Sequence, residues 1–126
     1  MSASPFSVLL VDDDTDTQQI VRMIMDHYKH PITIAHNADA AFRQLSKSTP
    51  DIIMLDIYLP DASGYDTLKV IRATVFEHSP KVVAITAYYT TDTAADMFKH
   101  GFDGYCRKPI IASQLIQYLQ DVIDQP

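Results

Sequence analysis

The 126-residue sequence has no tryptophan, three glycines and one cysteine. Cys106 alone cannot form a disulfide within the chain, and this favours a reducing, cytoplasmic location. The scarcity of glycine, together with 47% hydrophobic residues, excludes collagen-like and low-complexity sequence. The longest apolar runs, such as Ile52–Leu55, have four residues, so no membrane span is expected. Met1–Pro5 has neither a basic nor an apolar region, so no secretion signal is expected.

Basic residues are also few. Lysine and arginine number 10 against 16 acidic residues, which gives a net charge of −6 and argues against nucleic-acid binding by this domain. All the acidic residues except Glu77 are aspartates, which favour helix caps, turns and ligation of hard cations. Most of them are expected to cap helices or face solvent. The run Asp12–Asp16 and Asp56 are different, because they adjoin apolar segments.

Short apolar or β-branched segments alternate with segments of helical spacing. The apolar segments do not alternate cleanly with polar residues, a pattern typical of parallel strands that are covered on both faces. Their order predicts one α/β domain over residues 1–126, with its core at about 6–123 and right-handed crossovers. Five strands and five helices favour a flavodoxin-like, doubly wound sheet in the order 2-1-3-4-5. The predicted strands are Phe6–Val11, Ile32–Ala35, Ile52–Leu55, Val82–Ile85 and Gly104–Cys106.

Four residues or pairs mark helix limits. Thr15 and Gln18 have the spacing of a capping box before the first helix, and Asn37 is predicted to cap the second. Val75 is expected to extend the apolar face of the third helix, and Gly101 to end the fourth.

Polar side chains follow the strands where a ligand would bind. In open α/β sheets this is the edge formed by the carboxyl ends of the strands. Asp12–Asp14 follow the first strand, Asp56 the third, Thr86 the fourth and Lys108 the fifth. Two charges about 4 Å apart repel by roughly 4 kcal/mol at an effective dielectric near 20, and a cation such as Mg²⁺ relieves this repulsion. Carboxylate, hydroxyl, ammonium and metal together can handle a phosphoryl group.

Each of these residues also has an ordinary structural interpretation, as a cap, a turn, a strand end or a surface lysine. Two other motifs that begin with D-x-D are considered for the acidic run. An EF-hand loop is rejected, because it requires glycine and glutamate at its sixth and twelfth positions, where Thr17 and Met23 stand. A phosphatase of the haloacid dehalogenase type requires threonine or valine where Asp16 stands.

Four segments together resemble the receiver domain of two-component response regulators, of the stand-alone chemotaxis or cell-cycle kind. The resemblance extends from about Phe6 to Val122. The segments are Val8–Asp14, Asp51–Pro60 with Gly64, Ile85–Ala87, and Gly101–Tyr105 followed by Lys108–Ile110.

This resemblance implies a role for each residue at the sheet edge. Asp56 would accept a phosphoryl group from a phosphohistidine on a sensor histidine kinase or a histidine phosphotransfer domain. Mg²⁺ would be held by Asp12, Asp13, Asp56 and the backbone carbonyl of Tyr58.

The resemblance also implies a switch. Lys108 would contact the phosphoryl oxygens, Thr86 would move to hydrogen-bond one of them, and Tyr105 would rotate inward. The surface of the fourth helix, fifth strand and fifth helix would then bind a downstream protein. Lys108–Pro109 would be a cis peptide, and Tyr58 with Tyr88 is expected to shield the phosphoryl group from water.

The expected protein is a cytoplasmic signalling domain, a monomer or weak dimer with no membrane partner, that catalyses only its own phosphoryl transfer and slow dephosphorylation. A small Mg²⁺ phosphatase that uses Asp56 or Asp12, and an interaction module that ignores phosphate, remain as alternatives. The chain either stands alone or is cut from a larger regulator or hybrid kinase.

Overall fold

The structure, a computed structural model, describes residues 4–87 and 91–126. Strands and helices alternate throughout these residues, and all the strand pairs are parallel. The strand order β2-β1-β3-β4-β5 confirms the predicted doubly wound, flavodoxin-like sheet. The elements are β1 (Val8–Val11), α1 (Thr15–His27), β2 (Ile32–Ala35), α2 (Ala38–Leu45), β3 (Ile52–Asp56), α3 (Gly64–Ala73), β4 (Lys81–Thr86), α4 (Thr91–Lys99), β5 (Gly104–Arg107) and α5 (Ala112–Ile123).

Helices cover both faces of the sheet and form two apolar layers. Side chains alternate along each strand, so Leu9 and Leu55 pack on the layer with α2, α3 and α4. Leu10 and Met54 pack on the opposite layer with α1 and α5. Every residue of β1 and β3 is therefore buried, which explains why these strands are the clearest in the sequence. Over the described residues, no helix has both the length and the apolar character needed to cross a membrane.

The predicted cap of α2 is confirmed, but the predicted cap of α1 is wrong. Asn37 accepts a hydrogen bond from the Ala40 amide at 2.8 Å. In α1, Asp14 is the N-cap, and Thr15 is the first helical residue. The Asp14 carboxylate accepts from the amide of Asp16 at 3.2 Å and from the hydroxyl of Thr17 at 2.7 Å. A charged acceptor one residue earlier therefore takes the place that the capping-box pattern assigned to Thr15.

The two predicted helix ends also differ in outcome. Gly101 ends α4 with φ of 104°, as predicted. The interpretation of Val75 is wrong, because α3 ends at Ala73 and Thr74 has extended backbone. Val75 is consequently 95% exposed.

Candidate functional site

Three aspartates lie together at the carboxyl edge of the sheet. Asp12 and Asp13 directly follow β1, and Asp56 is the last residue of the neighbouring strand β3. One carboxylate oxygen of each lies within 4.8 Å of the others. Asp12 and Asp56 are buried, whereas Asp13 is exposed. The fold thus brings together the three carboxylates that the sequence placed at adjacent strand ends.

Lys108 compensates part of this negative charge. Its ammonium nitrogen lies 2.9 Å from Asp12 Oδ2, 3.2 Å from Asp56 Oδ2 and 3.9 Å from Asp14 Oδ2. Burial alone would lower the pKa of Lys108, but its hydrogen bonds and the charges of Asp12 and Asp56 outweigh that effect and raise it. Lys108 is therefore a permanent ammonium at the centre of the acidic cluster.

Asp12 is the least satisfied member of the cluster. Its Oδ1 accepts a hydrogen bond from the Asp14 amide at 2.9 Å. Its Oδ2 is buried and accepts no well-aligned hydrogen bond from the described residues, although the Lys108 ammonium is close to it. Burial raises the pKa of Asp12 to about 6, and Asp56 adds to this rise, while the Asp14 amide and Lys108 oppose it. A buried carboxylate of this kind gains from a further cation.

Asp56 is held in a fixed orientation. Its Oδ1 accepts from the Tyr58 amide at 2.9 Å, and its Oδ2 accepts from Lys108 at 3.2 Å. Thr86 ends the next strand, β4, and is buried. The backbone carbonyl of Thr86 accepts from the Lys108 amide at 2.8 Å, so the peptide segment that carries the lysine is bonded to the end of β4. The Lys108–Pro109 peptide bond is cis, as the resemblance implies.

The loop after Asp56 is tightly closed. Gly64 donates its amide to the Ile57 carbonyl. A Cβ atom at Gly64 would lie 2.6 Å from both the Asp56 carbonyl oxygen and the Ile57 Cα. At the tip of the loop, both carboxylate oxygens of Asp61 accept amides from the first turn of α2, at 2.9 and 3.0 Å. Sequence reasoning missed this contact of Asp61, which has no local signature.

Two of the three tyrosines expected at the site lie in different environments. Tyr58 is 62% exposed on the loop after β3. Tyr105 lies on β5, and its half-buried ring packs against the α2, α3 and α4 layer. The Tyr105 and Phe98 rings are nearly perpendicular, at 78°, with 5.8 Å between their centroids. Tyr88, the other expected shielding residue, lies outside the described residues.

The family model of the response regulator receiver domain matches residues 8–120 of this chain. The chain belongs to this family. An uncharacterized 14.6 kDa protein in the sodA1 3′ region of Leptolyngbya boryana is 27% identical over 113 residues, which are 90% of this chain and 86% of that protein. The transcriptional regulatory protein TrcR of Mycobacterium tuberculosis is 29% identical over 95% of this receiver domain. The chain spans only 46% of TrcR.

A solved structure has the same fold. The receiver domain of the sensor histidine kinase PA1611 from Pseudomonas aeruginosa superposes with a TM-score of 0.83. The match covers 97% of this receiver domain and all of that chain, at 24% identity. That structure has a magnesium ion coordinated in its active-site cleft.

Proposed function

We propose that this receiver domain is a phosphorylation-dependent signalling switch. Asp56 accepts a phosphoryl group from a phosphohistidine on a sensor histidine kinase or a histidine phosphotransfer domain. The observation that carries this proposal is the set of neighbours of Asp56. Its carboxylate lies 3.2 Å from the Lys108 ammonium and has carboxylate oxygens of Asp12 and Asp13 within 4.8 Å.

The side chains support transfer to Asp56 by position and charge. A carboxylate oxygen of Asp56 forms the new bond to phosphorus, and the phosphorus–nitrogen bond breaks with its electron pair leaving on the imidazole. The Tyr58 amide holds the acceptor carboxylate in orientation. Lys108 already lies beside Asp56 Oδ2, where it can neutralise charge on the transferred group.

The donor set fits Mg²⁺. Three carboxylates lie close together, and the buried Asp12 oxygen lacks a well-aligned hydrogen bond from the residues described. Asp12, Asp13, Asp56 and the Tyr58 backbone carbonyl would hold the ion, with water completing the octahedral oxygen shell that Mg²⁺ requires. Bound there, Mg²⁺ would neutralise oxygens of the phosphoryl group. The magnesium in the PA1611 receiver domain is consistent with this assignment.

The output step of the proposal involves Thr86 and Tyr105. Thr86 hydrogen-bonds an oxygen of the phosphoryl group once Asp56 carries one, and Tyr105 then rotates inward. This change alters the surface of α4, β5 and α5, where a downstream protein binds. The domain, which we assign to residues 1–126, acts in the cytoplasm as a monomer or weak dimer, and it performs only its own phosphoryl transfer and slow dephosphorylation. Tyr58, with Tyr88, limits the access of water to the phosphoryl group.

The test is incubation with acetyl phosphate and Mg²⁺, followed by intact-mass measurement. The wild type is expected to gain one base-labile phosphoryl adduct, and Asp56→Asn none. Asp66→Asn, which changes an exposed aspartate of α3, is the matched control and should behave as the wild type. Phosphate release without an adduct would instead support a phosphatase. The absence of both would support a phosphate-independent interaction module, and either result would contradict the proposal.

A further inference from the structure

An unusual hydrogen bond joins α5 to the last strand of the sheet. β5 pairs only with β4 among the described strands, so its outer side is an edge. There the backbone amide of Tyr105 donates to the hydroxyl oxygen of Tyr118 at 2.8 Å. The phenol oxygen thus takes the place that a carbonyl of another strand would occupy.

Gly104 provides the space that the Tyr118 hydroxyl occupies beside β5. A Cβ atom at Gly104 would lie 2.6 Å from the Tyr118 hydroxyl oxygen and 3.1 Å from Val122 Cγ2. Any other residue at position 104 would therefore push the hydroxyl or α5 away. The bond between Tyr105 and Tyr118 depends on both the glycine and the tyrosine.

The helix that carries Tyr118 is firmly anchored. Leu115, Leu119 and Val122 bury their side chains in the layer formed with α1. The Tyr118 ring is half-buried against the same layer, and burial raises the pKa of its hydroxyl. The hydroxyl is therefore neutral and held in place by the packing of α5, and it does not move freely on the surface.

Tyr105 is consequently bound on two sides. Its ring belongs to the opposite layer, where it packs against Phe98 of α4. Its amide is bonded to Tyr118 of α5. Side chain and backbone of this one residue therefore contact the two helices that border β5.

We propose that Tyr118 is a positioning residue that couples Tyr105 to α5 and so transmits the phosphorylation state of Asp56 to that helix. This inference rests on the proposed function. A displacement of β5 that accompanies rotation of the ring is passed through the hydrogen bond to Tyr118 and on to α5.

The test compares wild type with Tyr118→Phe, which keeps the ring and removes the hydroxyl. Amide spectra are recorded by NMR with Mg²⁺, without and with beryllofluoride, a mimic of the phosphoryl group on aspartate. In the variant, the Tyr105 amide is expected to exchange with solvent about tenfold faster, because it loses one hydrogen bond. The beryllofluoride-induced shifts should persist at Thr86 but fall by at least about half along α5. Tyr28→Phe, at an exposed tyrosine after α1, is the control and should retain both responses.

A second variant covers the case in which Tyr118→Phe does not fold. Gly104→Ala keeps the hydroxyl but displaces it, and the same loss of α5 response is expected. An α5 response of wild-type size in a folded variant overturns the inference, since a merely structural tyrosine would lower the melting temperature and leave the response intact. If the wild type itself shows no response at Thr86, the proposed function fails and the coupling fails with it. That result is distinguishable from failure of the coupling alone, because it is seen in the wild type before any variant is compared.

Discussion

Aspartates lie at both ends of the parallel strands, but their surroundings differ. We call these the amino edge and the carboxyl edge of the sheet. At the amino edge, Asp103 Oδ2 accepts from the Val82 amide at 2.8 Å and from Arg72 at 2.7 Å. Asp51 Oδ2 accepts from the Ser7 amide at 2.8 Å. At the carboxyl edge, the buried Asp12 shares Lys108 with two other carboxylates and keeps one oxygen without a well-aligned hydrogen bond from the described residues.

This contrast separates a stabilising arrangement from a functional one. The carboxylates of the amino edge accept hydrogen bonds from neighbouring donors, so they stabilise the strand ends. The carboxylates of the carboxyl edge repel one another, so in the absence of a metal ion they cost stability. Local conflict of this kind is characteristic of functional sites.

The largest expected effect is the loss of the shared lysine. Lys108→Met leaves Asp12 and Asp56 without their cation, and we expect unfolding free energy in EDTA to fall by about 3 kcal/mol. Arg72→Met at the amino edge, where the pair with Asp103 is partly exposed, should cost about 1 kcal/mol. Urea unfolding with and without Mg²⁺ measures both effects.

Mg²⁺ discriminates between the two variants. It should restore much of the stability of Lys108→Met, since it replaces the missing positive charge, and it should leave the deficit of Arg72→Met unchanged. Equal losses in the two variants, or an equal response to Mg²⁺, would remove the distinction between the edges.

The carboxyl edge was the more predictable of the two from sequence. Strands buried on both faces are plain apolar runs, so the polar residues at the carboxyl ends of β1, β3 and β4 could be placed at one edge without further information. Arg72 could not be placed in the same way. It donates to the carbonyl of Pro80 in the loop before β4, and to the Gly101 carbonyl and Asp103 in the loop before β5.

The contacts of Asp61 and Tyr118 were missed for the same reason. Each joins two different elements, α2 with the loop after β3 and α5 with β5, and no residue spacing marks such a bond. The cap of α1 failed for a different reason. Asp14 and Thr15 are both good N-caps, and only the structure shows that the carboxylate takes the position.

The second largest effect is expected from Asp12→Asn, and it should be a gain in stability. Asp12→Asn removes one buried negative charge, and Lys108 still has Asp56 and Asp14 as partners. Because burial of the ionised Asp12 is unfavourable, as its raised pKa shows, we expect the variant to be more stable in EDTA by about 2 kcal/mol. The same variant should bind Mg²⁺ more weakly and be phosphorylated more slowly by acetyl phosphate. A variant that is less stable than the wild type in EDTA would contradict the argument that burial of the ionised Asp12 destabilises the protein.

His30 provides a smaller effect at the amino edge. It is buried, stacks on Phe6 at 3.9 Å between ring centroids, and accepts the Phe6 amide at Nδ1, 3.1 Å away. Burial lowers the pKa of His30, so between that pKa and the ordinary value of about 6.5 the unfolded chain binds more protons than the folded one.

Stability should therefore fall as the pH decreases below about 6.5, by at most about 1.4 kcal/mol per pH unit from this group. His30→Asn keeps an acceptor for the Phe6 amide but cannot titrate, so its stability should depend less on pH in this range. Urea unfolding of both proteins from neutral pH to the acid side measures the difference. Parallel curves would show that His30 is not the titrating group.

The smallest expected effect comes from removing backbone strain at Lys29. It tests whether every stabilising substitution slows phosphorylation of Asp56. Lys29 follows α1 with φ of 62°, a left-handed conformation that glycine adopts without strain. Lys29→Gly should raise the unfolding free energy by about 0.5 to 1 kcal/mol, because the greater flexibility of unfolded glycine offsets part of the gain. Lys29 lies at the amino edge, next to His30, so phosphorylation of Asp56 should proceed at the wild-type rate. Asp12→Asn also gains stability but is expected to be phosphorylated more slowly. An equal slowing in Lys29→Gly would show that the repulsion between carboxylates at the carboxyl edge has no special relation to function.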